Sequence, residues 1–194
     1  MVRVLIEEME QYASQYNVPI MMKDGISFML DYIKEHNITR ILEIGSAIGY
    51  SAIRMASIDS NIHVTTIERD EVRYQEAVSN IRKAHMEDQI TIILGDAFDV
   101  NVEGEYDLIF IDAAKSQYIK FFEKFEVNLA LNGTILSDNL DFHGLTHTTE
   151  KIESRNVRGL VRKLNQYIDF LKNHPRFETT FYSVGDGIGV SVRK

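Results

Sequence analysis

Oxygen-bearing side chains follow two apolar stretches of this sequence at the point where each stretch ends. The run YDLIFI (106–111) is followed by Asp112, and the run TILS (134–137) is followed by Asp138 and Asn139. If the two runs are neighbouring parallel strands, their carboxyl ends meet at one edge of a sheet and these side chains converge. Two carboxylates and an amide oxygen, with neither His nor Cys, form a donor set that suits Mg²⁺. The sequence therefore predicts a magnesium site at this edge.

A lysine lies close to the first of these acids, because Lys115 follows Asp112 by three residues. Placed one turn on, it could reach a hydroxyl group of a substrate bound at the cation and act as a general base. The cation would itself lower the pKa of such a hydroxyl, so the sequence leaves open which of the two takes the proton. A purely structural interpretation also exists, in which Asp112 caps a helix beside a solvated lysine and the second pair forms only a turn. His143 and His147 lie in the polar loop that follows. The preferred interpretation of both is that they are ordinary loop residues, and the second is that they contact the substrate.

Residues at the ends of three earlier apolar runs are typical of a nucleoside site. Gly45 and Gly49 bracket the turn from the first run into a helix, which would let a ligand approach backbone N–H groups. Their spacing is G-x-x-x-G, with Ala47 between them, so the G-x-G-x-x-G cradle for a pyrophosphate is poorly supported. Glu68 ends the second run, where a carboxylate can accept hydrogen bonds from both ribose hydroxyls. Asp96, after the third run, could accept one from an adenine amino group.

Glu43 indicates the charge of the expected ligand. This acid lies within the apolar run RILEIG and is costly to bury unless it meets a cation or strong hydrogen-bond donors. A sulfonium ligand that also carries an amino-acid amine would supply that cation. S-adenosylmethionine combines both positive charges with ribose and adenine in one molecule.

Glu68 also has a purely structural interpretation. Taken by itself, it could be a solvated acid at the start of a helix.

Apolar runs alternate with helical patterns along most of the chain, and this alternation predicts the elements that would position these residues. Strands alternating with helices indicate a parallel sheet with helices on both faces. Two β-rich runs around Gly185-Asp186-Gly187 predict a terminal hairpin. We therefore expect an α/β, doubly wound, mostly parallel, seven-stranded Rossmann-like sheet with a C-terminal antiparallel hairpin. The predicted helices span 2–16, 25–34, 50–57, 70–85, 118–130 and 157–172, and the strands 40–44, 63–67, 90–94, 106–111, 134–137, 177–184 and 188–192.

Composition limits the class of protein. A length of 194 residues predicts a single domain spanning 1–194. No apolar run approaches the roughly 20 residues of a membrane span, and the N-terminus turns acidic too soon for a signal peptide. The absence of cysteine excludes disulfides and thiolate chemistry and fits a cytoplasmic protein. A net charge of −8 should repel nucleic acid, so any RNA contact must depend on a local basic patch.

One such patch lies near the C-terminal end of the chain. Residues 151–163 hold five basic side chains against a single acid, Glu153. On a helix that begins near Arg155, apolar residues form a buried stripe and three arginines at i, i+3 and i+7 occupy another face. These arginines could contact phosphates, although most charge runs are solvated helix faces. The five basic residues are Lys151, Arg155, Arg158, Arg162 and Lys163, and the expected stripe is Val157, Leu160, Val161, Leu164, Ile168 and Leu171.

The sequence resembles the class I, metal-dependent O-methyltransferases of the catechol and caffeoyl-CoA type in EIGSAIGYSAIRMA, TIERD, GDA, FIDAAKSQY and SDN. The resemblance covers nearly the whole chain. It implies that Lys115 and Asp112 are catalytic, that Glu68 holds the ribose of S-adenosylmethionine, and that the N-terminal helices (1–37) cap the cofactor site. It also implies an Mg²⁺ set of Asp112, Asp138 and Asn139, and a cofactor pocket lined by Met21, Glu43, Gly45, Gly49, Ser51, Asp96, Ala97 and Asp112.

Within that family the sequence is similar to a bacterial branch, the tRNA 5-hydroxyuridine methyltransferases (TrmR- and YrrM-like proteins). The segments concerned are PIMMKDG, TIERDEVRY, IDAAKSQY and RNVRGLVRKLNQYIDFL. The similarity implies conversion of wobble-position 5-hydroxyuridine to 5-methoxyuridine, with tRNA as the partner. Uracil O4 and the 5-hydroxyl oxygen are vicinal, as catechol oxygens are, so both could bind one Mg²⁺. The N-terminal helix could also pack on a second copy of the chain in a homodimer.

Three other functions compete with this one. The same chemistry could act on a small catechol-like or phenylpropanoid acceptor. A nicotinamide-dependent oxidoreductase could share the fold, but the missing G-x-G-x-x-G and the three oxygen donors argue against it. A catalytically inactive RNA-binding module is disfavoured because every expected site residue is present.

Overall fold

This computed structural model describes residues 2–148 and 152–194 of the chain. They contain six α-helices and a seven-stranded sheet. Lys151 of the predicted basic patch lies outside these residues. Short 3₁₀ turns, Lys115–Gln117 and Glu126–Asn128, flank the fifth helix. In chain order the elements are α1 (Val2–Tyr16), α2 (Lys23–Glu35), β1 (Arg40–Ile44), α3 (Tyr50–Ala56), β2 (His63–Glu68), α4 (Glu71–Ala84), β3 (Ile90–Leu94), β4 (Tyr106–Ile111), α5 (Tyr118–Phe125), β5 (Leu129–Ser137), α6 (Arg155–Lys172), β6 (Phe177–Tyr182) and β7 (Ile188–Arg193).

The strand order of the sheet is β3-β2-β1-β4-β5-β7-β6. Strands β1 to β5 are parallel, whereas β7 runs antiparallel between β5 and β6. The predicted doubly wound, mostly parallel sheet with an antiparallel C-terminal hairpin is confirmed. Strand order reverses between β1 and β4, and ligands of such sheets bind beyond the carboxyl ends of the strands at this reversal. The strand-end residues singled out in the sequence lie at that edge.

Two apolar cores cover the two faces of the sheet, because side chains along a strand alternate between faces. On β4, Leu108 and Phe110 join one core while Ile109 and Ile111 join the other. Helices α1 to α4 close the first core, and α5 with α6 closes the second. Since both faces are covered, the central strands read as continuous apolar runs. The strand ends that carry the polar residues are thus fixed from both sides.

The segment between α5 and β5 differs from the predicted helix over 118–130 and strand over 134–137. Helix α5 ends at Phe125, and β5 already begins at Leu129, which pairs with Tyr106 before a register shift in β4. The first part of β5 places only Leu129 in the second core, and Leu131 is 81% exposed. It therefore lacks the burial pattern by which a strand is recognised, and the sequence resembles the end of a helix.

Two helices, α4 and α6, begin with a side-chain cap. Asp70 accepts a hydrogen bond from the N–H of Arg73 at the start of α4, and Ser154 accepts one from Val157 at the start of α6. Within residues 2–148 and 152–194, none of the helices combines the length and apolar character that a membrane crossing requires.

The buried side of α6 differs slightly from the expected stripe, because Val157 and Leu160 are only half-buried. The buried residues of this helix are Val161, Leu164, Tyr167, Ile168 and Leu171.

Candidate active site

A cavity of about 380 Å³ opens at the carboxyl ends of β1, β2, β3 and β4, where the strand order reverses. The turns after these strands and the linker between α1 and α2 form its wall. The cavity brings together residues predicted for a nucleoside and residues predicted for a metal and a base. The predicted residues on its wall are Met21, Gly45, Ser51, Glu68, Asp96, Ala97, Asp112, Lys115 and Asn139. Of the residues predicted for the cofactor, the metal and the base, Glu43, Gly49 and Asp138 are not part of the wall.

Glu68 is the last residue of β2, and the backbone around it holds its carboxylate in place. Its Oε2 accepts a hydrogen bond from the N–H of Ala47 (2.8 Å), and its Oε1 accepts one from the N–H of Asp70 (2.9 Å). A carboxylate offers about four acceptor positions, so about two remain for groups in the cavity. This buried, fixed acceptor suits two vicinal hydroxyls such as those of a ribose.

The glycine turn after β1 pairs its own glycine N–H groups within the protein. The N–H of Gly45 donates to the carbonyl of Ile67 (3.0 Å), and the N–H of Gly49 donates to the carbonyl of Ser46 (2.8 Å). The N–H groups of the two glycines are therefore paired within the protein, and the approach of a ligand to other backbone N–H groups of this turn stays a prediction. Gly45 has a φ of +99°, and a Cβ there would stand 2.3 Å from the carbonyl oxygen of Asp112. Glycine is needed so that the β1 turn can approach the end of β4.

Glu43 is completely buried on β1. The hydroxyl of Ser51 donates to its Oε1, and the hydroxyl of Thr66 donates to its Oε2 at 2.6 Å. Burial raises the pKa of Glu43 to about 7, and the two hydroxyl donors oppose part of this shift. The sequence indicated a cation or strong donors for this acid, and the protein itself supplies two donors. Contact between Glu43 and a cofactor stays a prediction.

Asp112, Asp138 and Asn139 converge where β4 and β5 end. The Asn139 Nδ2 donates to Asp112 Oδ1 (3.2 Å) and to Asp138 Oδ2 (2.8 Å). Burial, together with the charge of Asp112, raises the pKa of Asp138 to about 8. Burial also raises the pKa of Asp112, and the Lys115 ammonium opposes that shift. Two carboxylates that share one amide donor in an enclosed place repel each other, and a proton or a cation between them would relieve the repulsion.

The chemistry of this donor set fits a hard divalent cation. A half-turn of the Asn139 terminal amide would present its oxygen, instead of its nitrogen, to the two carboxylates. Asn139 has a φ of +63°, so it also forms a sharp turn, as the structural interpretation proposed. Within residues 2–148 and 152–194, no three His, Cys, Asp or Glu side chains are grouped as metal ligands. An ion held here would therefore need the amide oxygen together with water or substrate oxygens, a coordination that is usual for Mg²⁺.

Lys115 begins the 3₁₀ turn after β4 and lies on the cavity wall. Neither this turn nor α5 has a side-chain cap, so Asp112 does not serve as a helix cap. The Lys115 ammonium opposes the rise in the pKa of both Asp112 and Asp138, as a cation close to the two carboxylates should. Its Nζ is 5.8 Å from the centroid of the Phe142 ring. An amine at this place can exchange a proton with a hydroxyl group beside the acids.

The sequence did not single out several residues of the wall. Phe98 and Phe121 both line the cavity, and their rings stack with centroids 4.7 Å apart. Phe98 donates its N–H to the side chain of Asp96 (2.9 Å). The Asp-x-Phe spacing could have indicated from the sequence that Phe98 lies beside Asp96 in the site. Phe121 lies in the middle of α5, where an aromatic residue is indistinguishable from core. Arg69, between β2 and α4, and Arg73, in α4, also line the cavity but look like ordinary surface charges in the sequence.

The predicted phosphate-binding residues lie at the start of α6. Arg158 is exposed, but its Nη1 donates to the carbonyls of Ile152 (2.7 Å) and Glu153 (2.6 Å). It therefore fixes the segment before the helix. The other exposed cations of this helix start form the α6 basic face, which consists of Arg155, Arg162 and Lys163.

The chain is similar to known proteins over nearly its whole length. A family model described as O-methyltransferase matches residues 2–194. The chain belongs to the O-methyltransferase family. A flavonoid 3′,5′-methyltransferase of Vitis vinifera is 30% identical to it over 96% of this chain and 82% of its own length.

Solved O-methyltransferase structures share the fold. A Staphylococcus aureus protein provisionally described as a caffeoyl-CoA O-methyltransferase superposes with a TM-score of 0.93 at 40% identity, covering 97% of this chain and 92% of its own. An SAH-bound methyltransferase of Podospora anserina gives a TM-score of 0.86 at 26% identity, covering 100% of this chain and 87% of its own. The predicted Rossmann-like methyltransferase sheet and the resemblance to caffeoyl-CoA-type O-methyltransferases are confirmed. Membership of the bacterial tRNA 5-hydroxyuridine branch stays a prediction.

Proposed function

We propose that this O-methyltransferase transfers a methyl group from S-adenosylmethionine to the 5-hydroxyl of 5-hydroxyuridine at the tRNA wobble position, with Mg²⁺ at the ends of β4 and β5. The family match supports the reaction class. The similar P. anserina enzyme holds S-adenosylhomocysteine, the product that such a transfer leaves behind, which supports the methyl donor.

The observation that carries the proposal is a single cavity with two chemically different ends. At one end Glu68 has free acceptor positions for ribose hydroxyls, and Asp96 offers a carboxylate for an amino group. At the other end Asp112, Asn139 and Lys115 suit a cation and a hydroxyl acceptor. Transfer from a nucleoside-bearing donor to an oxygen needs both partners held in one chamber, because orientation supplies a large part of the rate.

The residues of this chain have separate tasks in the proposed reaction. When bound, S-adenosylmethionine supplies the methyl group, and Mg²⁺ supplies a positive charge that favours the ionised form of the acceptor hydroxyl. Asp112, Asp138 and Asn139 would hold the cation. In its neutral amine form, Lys115 is positioned to take the proton that leaves the hydroxyl.

A tRNA acceptor is supported by charge and by chemistry. The α6 basic face is a local cationic surface in a chain whose net charge is −8. Along the chain, this basic face comes after the loop that begins at the metal residues. Phosphates bound to the face could therefore hold an RNA beside the cavity. The vicinal O4 and 5-hydroxyl oxygens of 5-hydroxyuridine match the spacing that a catechol would present to one cation.

A small catechol-like or phenylpropanoid acceptor is the second candidate. It is favoured by the flavonoid methyltransferase of V. vinifera and by the caffeoyl-CoA description of the S. aureus protein. Both candidates use the same cavity and the same cation, so only the acceptor separates them.

Parallel methyl-transfer assays on tRNA that carries 5-hydroxyuridine and on catechol test the proposal. We expect 5-methoxyuridine in the digested tRNA, and we expect its formation to stop when EDTA removes Mg²⁺. Lys115→Ala should lower the rate by at least about 100-fold, the usual effect of losing a general base. Lys120→Ala is the matched control, because this exposed lysine of α5 does not line the cavity. Transfer to catechol without transfer to tRNA would reject the tRNA acceptor, and transfer to neither would reject the reaction.

A further inference from the structure

The β6–β7 hairpin turn holds the loop that leaves the metal residues. The N–H of Leu140 donates to the carbonyl of Gly187 (3.0 Å), and the N–H of Asp141 donates to the carbonyl of Asp186 (2.7 Å). The Asp186 carboxylate also accepts a hydrogen bond from the N–H of His143. Three hydrogen bonds therefore join the start of this loop to a turn that is distant in sequence.

The geometry of the turn makes this contact close. Gly187 has a φ of +83°, and a Cβ there would stand 2.6 Å from the backbone nitrogen of Asp141. On the other side, a Cβ on Gly185 would stand 3.2 Å from the backbone of Gly25 in α2. The turn is thus packed between α2 and the loop, and it cannot shift without disturbing one of them.

The loop itself adopts an unfavourable backbone. Phe142 has a φ of +47° and His143 a φ of +57°, values that are uncommon for residues other than glycine and particularly for a bulky one. Such a conformation persists only where the surroundings hold it. Asp186 contacts the strained residue directly, since its carboxylate accepts from the His143 N–H and lies 3.6 Å from the His143 Nδ1.

The burial of Asp186 is otherwise unexplained. It is only 5% exposed, and its Oδ2 has no hydrogen-bond partner among the described residues. Burying a carboxylate with so few partners is unfavourable, so its position should serve a contact that matters. The loop it holds places the half-buried Phe142 ring 5.8 Å from the Lys115 Nζ.

We propose that Asp186 is a positioning residue that holds Phe142 beside Lys115, where the ring forms a wall for the planar ring of the acceptor. This inference rests on the proposed function, because it concerns the acceptor of the same reaction. A flat aromatic wall suits either a nucleobase or a catechol, since both present an aromatic face that can stack or meet the ring edge-on.

Hydrogen exchange tests the positioning role without any assay of activity. Asp186→Ala should accelerate amide exchange in the peptide that covers 140–147 by about 10-fold or more, the equivalent of losing one hydrogen bond to a charged group. Asp186→Asn keeps an acceptor oxygen for His143 and should restore slow exchange. Equal exchange in the wild type and in Asp186→Ala would overturn the positioning role, whatever the acceptor proves to be.

Steady-state kinetics with catechol and with hydroxyuridine-containing tRNA test the aromatic wall. Phe142→Ala should raise the acceptor KM by about 10-fold, because it removes a stacked ring, while the Kd for S-adenosylhomocysteine stays unchanged. Phe142→Tyr retains the ring and should retain the KM. Phe181→Ala, which removes an exposed aromatic ring of β6 that lies beside Lys172, is the control.

The two ideas fail in distinguishable ways. An acceptor KM that Phe142→Ala leaves unchanged would overturn the aromatic wall even if methyl transfer is established. If the wild type methylates neither acceptor, the proposed function and the wall fall together, and hydrogen exchange still decides whether Asp186 holds the loop.

Discussion

Replacing Glu68 by glutamine should weaken the binding of S-adenosylhomocysteine and leave the protein folded. The carboxylate accepts two backbone hydrogen bonds, from Ala47 and Asp70, and its remaining acceptor positions are available in the cavity. Glutamine has the same size but only one acceptor oxygen, so its amide nitrogen must face one of the two N–H donors. The ribose hydroxyls would lose the charged acceptor at the same time.

The magnitude follows from these contacts. Losing one hydrogen bond to a charged group costs roughly 1.5–3 kcal/mol, which raises the Kd by about 10- to 100-fold. The backbone N–H left without an acceptor costs about 1–3 kcal/mol of stability, or roughly 2–12 °C in Tm for a protein of this size. Binding is therefore measured well below the melting range of the variant.

Isothermal titration calorimetry with S-adenosylhomocysteine is the suitable assay. Glu71→Gln is the matched control, because it changes an exposed acid of α4 three residues away that does not line the cavity. An affinity of Glu68→Gln within twofold of the wild type would refute the ribose role, since no other change could compensate for a lost charged acceptor.

Three further predictions concern charge. Because burial raises the pKa of Glu43 to about 7 from 4.5, the folded chain binds this proton more tightly than the unfolded chain, so stability should fall by up to about 3 kcal/mol between pH 4.5 and 7. Glu43→Gln should flatten that part of a series of urea melts, and an equally steep series would contradict the assignment. Asp138→Ala should abolish methyl transfer and leave the Kd for S-adenosylhomocysteine near the wild-type value, because Asp138 is not on the cavity wall; turnover above a few per cent of wild type would count against the metal set. Changing the α6 basic face to glutamines should weaken tRNA binding and reduce the slope of log K against log salt by about 2–3, whereas Arg82→Gln with Lys83→Gln on α4 should not; an unchanged slope would favour the small acceptor.

The convergence of Asp112, Asp138 and Asn139 could be predicted because it depends on local patterns and on one rule of topology. Each residue follows an apolar run, and parallel neighbouring strands must present their carboxyl ends at one edge. Pairing of β4 with β5 up to Ile111 and Ser137 then brings the three side chains together. Nothing beyond the strand pattern was needed to expect this.

Other features of the site depend on contacts that no local pattern encodes. The N–H of Gly45 is occupied because β1 lies beside β2, whose Ile67 carbonyl accepts from it. Asp186 has the sequence context of an exposed turn, and it is buried only because the hairpin folds against residues 140–147. Arg158 has the spacing of a phosphate contact, yet the segment that precedes α6 places two carbonyls within its reach. The first two differences arise where distant segments meet, and the third arises where α6 meets the segment just before it.

Diffraction from crystals grown with S-adenosylhomocysteine and Mn²⁺ tests the central claim most directly, because manganese replaces magnesium at oxygen sites and gives an anomalous signal. We expect one manganese peak within coordination distance of Asp112, Asp138 and Asn139, and S-adenosylhomocysteine in the same cavity with its ribose hydroxyls on Glu68. A manganese peak elsewhere, or a bound nucleoside that leaves Glu68 without a ribose contact, would contradict the assignment of one cavity to both partners.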